Sequence, residues 1–164
     1  MPTLHAVSIA KTYPVADGEL TILRDATLSL ERGESAAIVG PSGSGKSTLL
    51  SILGTLEVPT GGTYELGGVQ PATLSEPALA AFRSRQIGFI FQDHHLLPQC
   101  SVLENVLVPM LADGAASAAD VAHAEALLDR VGLAERRHHR PPQLSGGERQ
   151  RAAIARALLR EPTL

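Results

Sequence analysis

The chain has no tryptophan and only two tyrosines and three phenylalanines, so whatever core it builds is aliphatic. A single cysteine, Cys100, excludes a disulfide framework within the chain and suits a reducing compartment. No stretch approaches the roughly 18 apolar residues that a membrane span requires. No charged-then-apolar leader opens it, since "MPTLHAVSIAKTYP" is too short and mixed for a signal peptide. Excess charge of one sign is lacking too: a formal net charge of −3 argues against broad electrostatic binding of nucleic acid. Together these absences suggest a cytosolic chain that would need a separate partner to act at a membrane.

What is present suffices for one domain: 164 residues, of which 44% are hydrophobic and 19% charged. The first third reads as strand-rich. "LHAVSIA" (Leu4 to Ala10) and "ELTILRDATLSLERG" (Glu19 to Gly33) flank the turn signal Asp17-Gly18, and "TGGTYELGG" (Thr60 to Gly68) repeats turn-and-strand chemistry. "SAAIV" (Ser35 to Val39) and "IGFIF" (Ile87 to Phe91) are short, continuously apolar runs, the pattern of parallel strands buried on both faces. A helix is expected from about Lys46 to Leu56. Ser101 with Glu104, and Ser117 with Asp120, fit the S/T-x-x-E/D start signal of two more, and Gly132 suits a left-handed stop. The last helix is expected from about Gly146 to Arg160, with Ile154, Ala157 and Leu158 along one face. Buried parallel strands alternating with helices predict an α/β chain with an all-helical insertion in the second half.

Gly40-Pro41-Ser42-Gly43-Ser44-Gly45-Lys46-Ser47 satisfies the phosphate-loop pattern G-x-x-x-x-G-K-[ST], after an apolar run and before a helix. Backbone N–H groups can surround a polyphosphate only where no Cβ intrudes, which Gly40, Gly43 and Gly45 allow. The following helix directs its N-terminal N–H groups and the positive end of its dipole to the same place. Lys46 adds a full charge, worth roughly 4 kcal/mol at about 4 Å and an effective dielectric of 20. That exceeds the roughly 0.3–1 kcal/mol of a helix-dipole contact, so Lys46 is the most sensitive single position. The Ser47 hydroxyl suits Mg²⁺. The pattern therefore predicts nucleotide binding.

Phosphate loops serve many proteins, so a second motif has to narrow the function. "QLSGGERQRAAIARALL" (Gln143 to Leu159) starts the last helix with small residues that leave N–H groups open. Leu144-Ser145-Gly146-Gly147-Glu148 and the Arg-Gln-Arg that follows resemble the signature motif of ABC-type ATPases. Gly40 to Ser47 is similar to their Walker A motif, Gln92 matches their Q-loop glutamine, and Tyr13 sits where their A-loop aromatic lies. The wording around Gln92 and the signature resembles the lipoprotein-release (Lol) ATPases and their macrolide-exporter relatives.

The resemblance implies a P-loop fold of ABC type: an N-terminal antiparallel β subdomain, an inserted helical subdomain at about 93–145, and an incomplete parallel core sheet. Residues 1–164 would form a single, partial nucleotide-binding domain. It implies an ATPase whose ligands are ATP and Mg²⁺. The site residues it implies are Tyr13 for the base, Gly40 to Thr48 for the phosphates, Ser47 and Gln92 for the metal, and Lys46 and Gln92 for catalysis. Ser145, Gly146, Gly147 and Glu148 would close the site of a second subunit in a head-to-tail dimer. A membrane permease, met at the cytoplasmic face of the inner membrane through the segment after Gln92, would be the other partner. The alternatives are a non-transport ABC ATPase of DNA repair, chromosome organisation or translation, and a binding module with a dead site. About 100 residues without heptads separate Lys46 from Leu144, which favours transport over the chromosome class.

Other signals carry less. The pairs His94-His95 and His138-His139 lack tetrahedral ligand spacing, Arg136, Arg137 and Arg140 read as a solvated loop, and Cys100 has no visible base. In the family a Walker B strand ending in Asp-Glu begins about twenty residues after the signature leucine, where this sequence reaches "REPTL". Neither Glu161-Pro162-Thr163 nor "VLVPMLAD" (Val106 to Asp113) replaces it, the latter because it precedes the signature and contains Pro109. The expectation is a fragment, or a truncated product of low stability, that hydrolyses ATP poorly.

Overall fold

A computed structural model describes residues 3–164 and divides into two compact units. The first runs to Arg83 and is built on a three-stranded antiparallel sheet in the order β2-β1-β3. Strands β1 (Leu4–Val15) and β2 (Gly18–Leu30) form a hairpin closed by two residues, Ala16 and Asp17, with Val15 opposite Gly18. Gly18, at φ 133°, leaves the turn in a conformation that side chains avoid. Strand β3 (Gly61–Leu66) pairs with the other edge of β1, Leu4 opposite Leu66. Leu4, Ala6, Ile9 and Leu66 are buried on the sheet, and Ile52 and Leu53 of helix α1 (Lys46–Leu53) are buried in the same unit. Tyr64 on β3 donates its hydroxyl to the Leu53 carbonyl at 2.6 Å, and burial pushes its pKa above the usual tyrosine range. Helix α2 (Glu76–Gln86) follows, and its Arg83 holds the Thr55 carbonyl at 2.7 Å.

The second unit, from Ser84 to Pro162 with Leu164, is helical. Its core is Val102 and Val106 of α3 (Val102–Leu107), Ala124, Leu127 and Leu128 of α4 (Ala118–Arg130), and Ala152 and Ala155 of α5 (Gly146–Leu158), with Leu133, Leu144 and Leu159. Each helix opens with a capping box: Ser101 with Glu104, Ser117 with Asp120, Ser145 with Glu148. Gly132, at φ 70°, stops α4 as expected. The buried face of α5 is offset from the one the sequence suggested. Alanines 152 and 155 point inward, while Leu158 is 45% exposed. Small residues there let the helix backbone pack close to its neighbours, so the alanine stripe rather than the larger residues marks the core.

The two expected parallel strands form no ladder of their own. Ser35–Val39 and Ile87–Phe91 have no regular structure, and Val39 is 85% exposed. A strand exists only through the neighbours that take its N–H and C=O groups, and among the described residues neither segment has a strand beside it. One rung is nonetheless present. The Leu164 N–H donates to the Gln86 carbonyl at 3.0 Å, and its carbonyl accepts from the Gly88 N–H at 2.8 Å, the slanted spacing of a parallel pair.

Candidate active site

The candidate site residues fall into two groups, one in each unit. In the first, the loop from Gly40 delivers the chain into α1. Gly43 and Gly45 sit at φ 80° and 84°, and Gly45 is the left-handed residue directly before Lys46. Around it the chain is tight: a Cβ on Gly45 would lie 2.8 Å from Leu23 Cδ2 and 3.1 Å from the Ile22 carbonyl oxygen. On Gly43 a Cβ would meet nothing within 4 Å, so that glycine faces open space. Lys46 folds back over the loop, its Nζ donating to the Gly40 carbonyl at 2.9 Å and the Pro41 carbonyl at 2.6 Å. The ammonium is thus held by uncharged oxygens of the loop, with the Ser44 hydroxyl at 3.5 Å as a third, all weaker acceptors than a charged group. Ser47 is exposed and Thr48 half-buried in the first turn of α1.

Tyr13, near the end of β1, is more constrained than its sequence suggested. Its hydroxyl donates to the Glu57 carboxylate, and the Lys11 ammonium lies 4.9 Å from its ring centroid. Lys11 also pairs with Glu57 at 3.4 Å and donates to the Val58 carbonyl at 2.8 Å. The hydrogen bond to Glu57, then burial and the Glu57 charge, hold Tyr13 above the usual tyrosine range, against a smaller opposing effect of the Thr48 hydroxyl. The phenol is therefore neutral and its ring fixed in place.

In the second unit, Ser145 caps α5: its hydroxyl accepts from the Glu148 N–H at 3.3 Å, and its own N–H donates to Glu148 Oε2 at 2.8 Å. These bonds, with a smaller contribution from Arg136, hold the Glu148 carboxyl below the usual range. Arg136 Nε lies 3.3 Å from Glu148 Oε1, and Arg137 pairs with Glu125 at 3.0 Å, so two residues of the supposed solvated run bind carboxylates. Gly146 and Gly147 occupy the first turn, whose N–H groups have no acceptor within the helix. A Cβ on Gly146 would meet nothing within 4 Å. Gln92 is exposed in the turn that follows Phe91. Arg156 of α5 binds the exit of that turn, a contact that no motif announces. Asn105, fully buried, was missed as well: its amide takes the Leu97 N–H at 2.7 Å and donates to the Leu97, Cys100 and Ser101 carbonyls.

A glycine loop with its lysine, followed in sequence by a Ser-Gly-Gly-Glu helix start, is the combination that the comparisons with known proteins address. The family model described as ABC transporter matches residues 23–164. The chain belongs to the ABC transporter ATPases. This ABC ATPase is 56% identical over 156 residues to "Lipoprotein-releasing system ATP-binding protein LolD 1" of Rhodopirellula baltica, covering 95% of this chain and 68% of that protein. It is 50% identical over 161 residues to the LolD protein of Bordetella pertussis, covering 98% and 70%. Its identity to the "Macrolide export ATP-binding/permease protein MacB" of Rhodopirellula baltica is 48% over 163 residues, 98% of this chain but 24% of that one. Among solved structures it resembles the dimeric structure of MJ0796, a bacterial ABC transporter cassette, with TM-score 0.85 and 37% identity over 97% of this chain and 70% of that one. A post-hydrolysis state of the same cassette, bound to ADP and Pi, matches equally. The expected fold class therefore stands, although two of its expected strands are not formed as such. Among the described residues no helix is long and apolar enough to cross a membrane.

Proposed function

We propose that this ABC ATPase binds Mg–ATP through the Gly40–Thr48 loop and drives a membrane permease of the lipoprotein-release or macrolide-export kind. The observation that carries the reading is the loop itself: left-handed glycines, open space beside Gly43, and a lysine folded back onto the loop's own carbonyls. A triphosphate fits that cradle, because it offers Lys46 a stronger acceptor than the two carbonyls it holds now. Tyr13, neutral and fixed by Glu57, offers a ring for the adenine.

Mg²⁺ would take hard oxygen donors, and Ser47 in the first unit and Gln92 in the second each expose one, a hydroxyl and an amide oxygen. Bound there, it would supply positive charge that offsets the charge of the phosphates. Lys46 withdraws charge from the phosphates, and Gln92 orients the attacking water. The Ser145–Glu148 start of α5 brings a second set of N–H groups to the nucleotide of a partner subunit, in a head-to-tail dimer. Capping fixes Ser145 and Glu148, so this surface is preorganised rather than assembled on binding. The protein works peripherally, on the cytoplasmic face of the inner membrane, through the permease. The names of its relatives favour transport over repair or translation.

Crosslinking tests the dimer. In a Cys100→Ser background, Ser42→Cys and Gly147→Cys on separate copies should form a disulfide that depends on ATP. Absence of that disulfide with ATP present would remove the head-to-tail arrangement. Co-reconstitution with a candidate permease in liposomes, followed by ATPase stimulation, tests the transport assignment.

A further inference from the structure

The turn that carries Gln92 is closed by a hydrogen bond from the His94 N–H to the Phe91 carbonyl, 3.0 Å, which puts Gln92 and Asp93 at its corner. The chain leaves it through two consecutive non-glycine residues in the left-handed region, His94 at φ 61° and His95 at φ 46°. One such residue is uncommon. Two in series clash sterically and persist only where the surroundings hold them. The His95 N–H reaches the Asp93 carbonyl at 2.7 Å, and the Phe91 and His95 rings meet edge to face at 4.9 Å.

Arg156 supplies the remaining restraint. Its Nη2 donates to the His94 carbonyl at 2.6 Å and its Nη1 to the His95 carbonyl at 2.8 Å. One planar guanidinium therefore fixes both strained peptides at once, a task that suits its rigid fork and not a single ammonium. Arg156 lies on α5, the helix whose first turn is Ser145–Glu148. We propose that Arg156 is a positioning residue for Gln92: its guanidinium holds the left-handed exit of the Gln92 turn and ties that turn to the signature helix. Consequently the two elements that meet nucleotide from this unit keep a fixed mutual geometry. The functional half of this rests on the proposed metal role of Gln92; the clamp does not.

Amide exchange and metal-dependent binding test it in the full chain. Arg156→Ala should speed exchange at His94 and His95 by about tenfold or more, while the amides of α5 keep their protection. Binding of fluorescent mant-ATP without metal should stay within about twofold of the parent, because the phosphate loop is untouched. The Mg²⁺ concentration for half-maximal tightening should rise about tenfold, since small misplacements of a ligand are costly. Arg156→Lys should recover only part of this. Adding His94→Gly and His95→Gly to Arg156→Ala should restore Mg²⁺ dependence to within about threefold, because glycine visits the left-handed region freely. A purely structural arginine would show no such rescue. Parental exchange at His94 and His95 in Arg156→Ala, or failure of the glycine pair to rescue, overturns the proposal. If Gln92→Ala itself keeps the parental Mg²⁺ dependence, the metal role of Gln92 fails, and the exchange rates alone then decide the clamp.

Discussion

Replacing Gly45 by alanine should cost the first unit more than replacing Gly43, although the two backbones are nearly alike. Both sit in the left-handed region, at φ 84° and 80°. An alanine there costs about 1–2 kcal/mol on conformation alone. At Gly43 nothing lies within 4 Å of the new methyl, so that is the whole effect. At Gly45 the methyl would meet Leu23 Cδ2 at 2.8 Å and the Ile22 carbonyl at 3.1 Å. The leucine tip can move, but the carbonyl belongs to β2 and cannot move without shifting the hairpin. Overpacking of this kind adds about 1–3 kcal/mol, for a total of about 2–5 kcal/mol. The assay is urea unfolding followed by tyrosine fluorescence. The chain has no tryptophan, and Tyr13 and Tyr64 both belong to the first unit, so the signal reports that unit alone. Equal losses for the two variants would refute the steric account of how β2 supports the loop.

Asn105→Ala removes four hydrogen bonds and takes a partner from the Leu97 N–H and from the part-buried Leu97 and Cys100 carbonyls, so the second unit should lose about 2–4 kcal/mol in thermal or urea unfolding. A loss below about 1 kcal/mol would show that the loop reorganises around the gap. Acid should loosen the same unit: Glu104, Asp120 and Glu148 all titrate below their ordinary values of 4.5, 3.8 and 4.5, each held down mainly by its capping serine. Their contribution is complete above about pH 5 and is lost as pH falls through the depressed native values. The melting temperature followed by circular dichroism should drop over that range and flatten with Glu104→Gln, Asp120→Asn and Glu148→Gln together. Tyr13→Ala should weaken ATP binding by about 10–100-fold if the ring stacks the base, whereas Tyr13→Phe should stay within about threefold. Identical affinities for these two variants would remove the stacking role.

The phosphate loop, the hairpin turn at Asp17-Gly18 and the capping boxes were legible because each is a local pattern with its own chemistry. Ser117 needs only Asp120, three residues on, to start α4. Arg156 was not legible, because the carbonyls it binds lie 61 and 62 residues earlier and carbonyls have no signature in a sequence. Asn105 escaped for a similar reason: its partners are backbone groups of the loop that precedes it. Glu57 was invisible as the partner of Tyr13 until β1 and the segment after α1 were brought together, 44 residues apart in sequence. Ser35–Val39 and Ile87–Phe91 have the composition of buried strands, but burial and pairing are properties of neighbours, and composition alone does not supply them.

The most direct test of the account is calorimetric titration of Mg–ATP into the protein and into its Lys46→Ala variant, with folding of both checked by circular dichroism. One ATP should bind per chain, and removing the charge should cost about 10³-fold in affinity, from the roughly 4 kcal/mol of a close ion pair. Parental affinity in a folded Lys46→Ala variant would contradict the assignment of the Gly40–Ser47 loop as the phosphate site, and with it the function proposed for the chain.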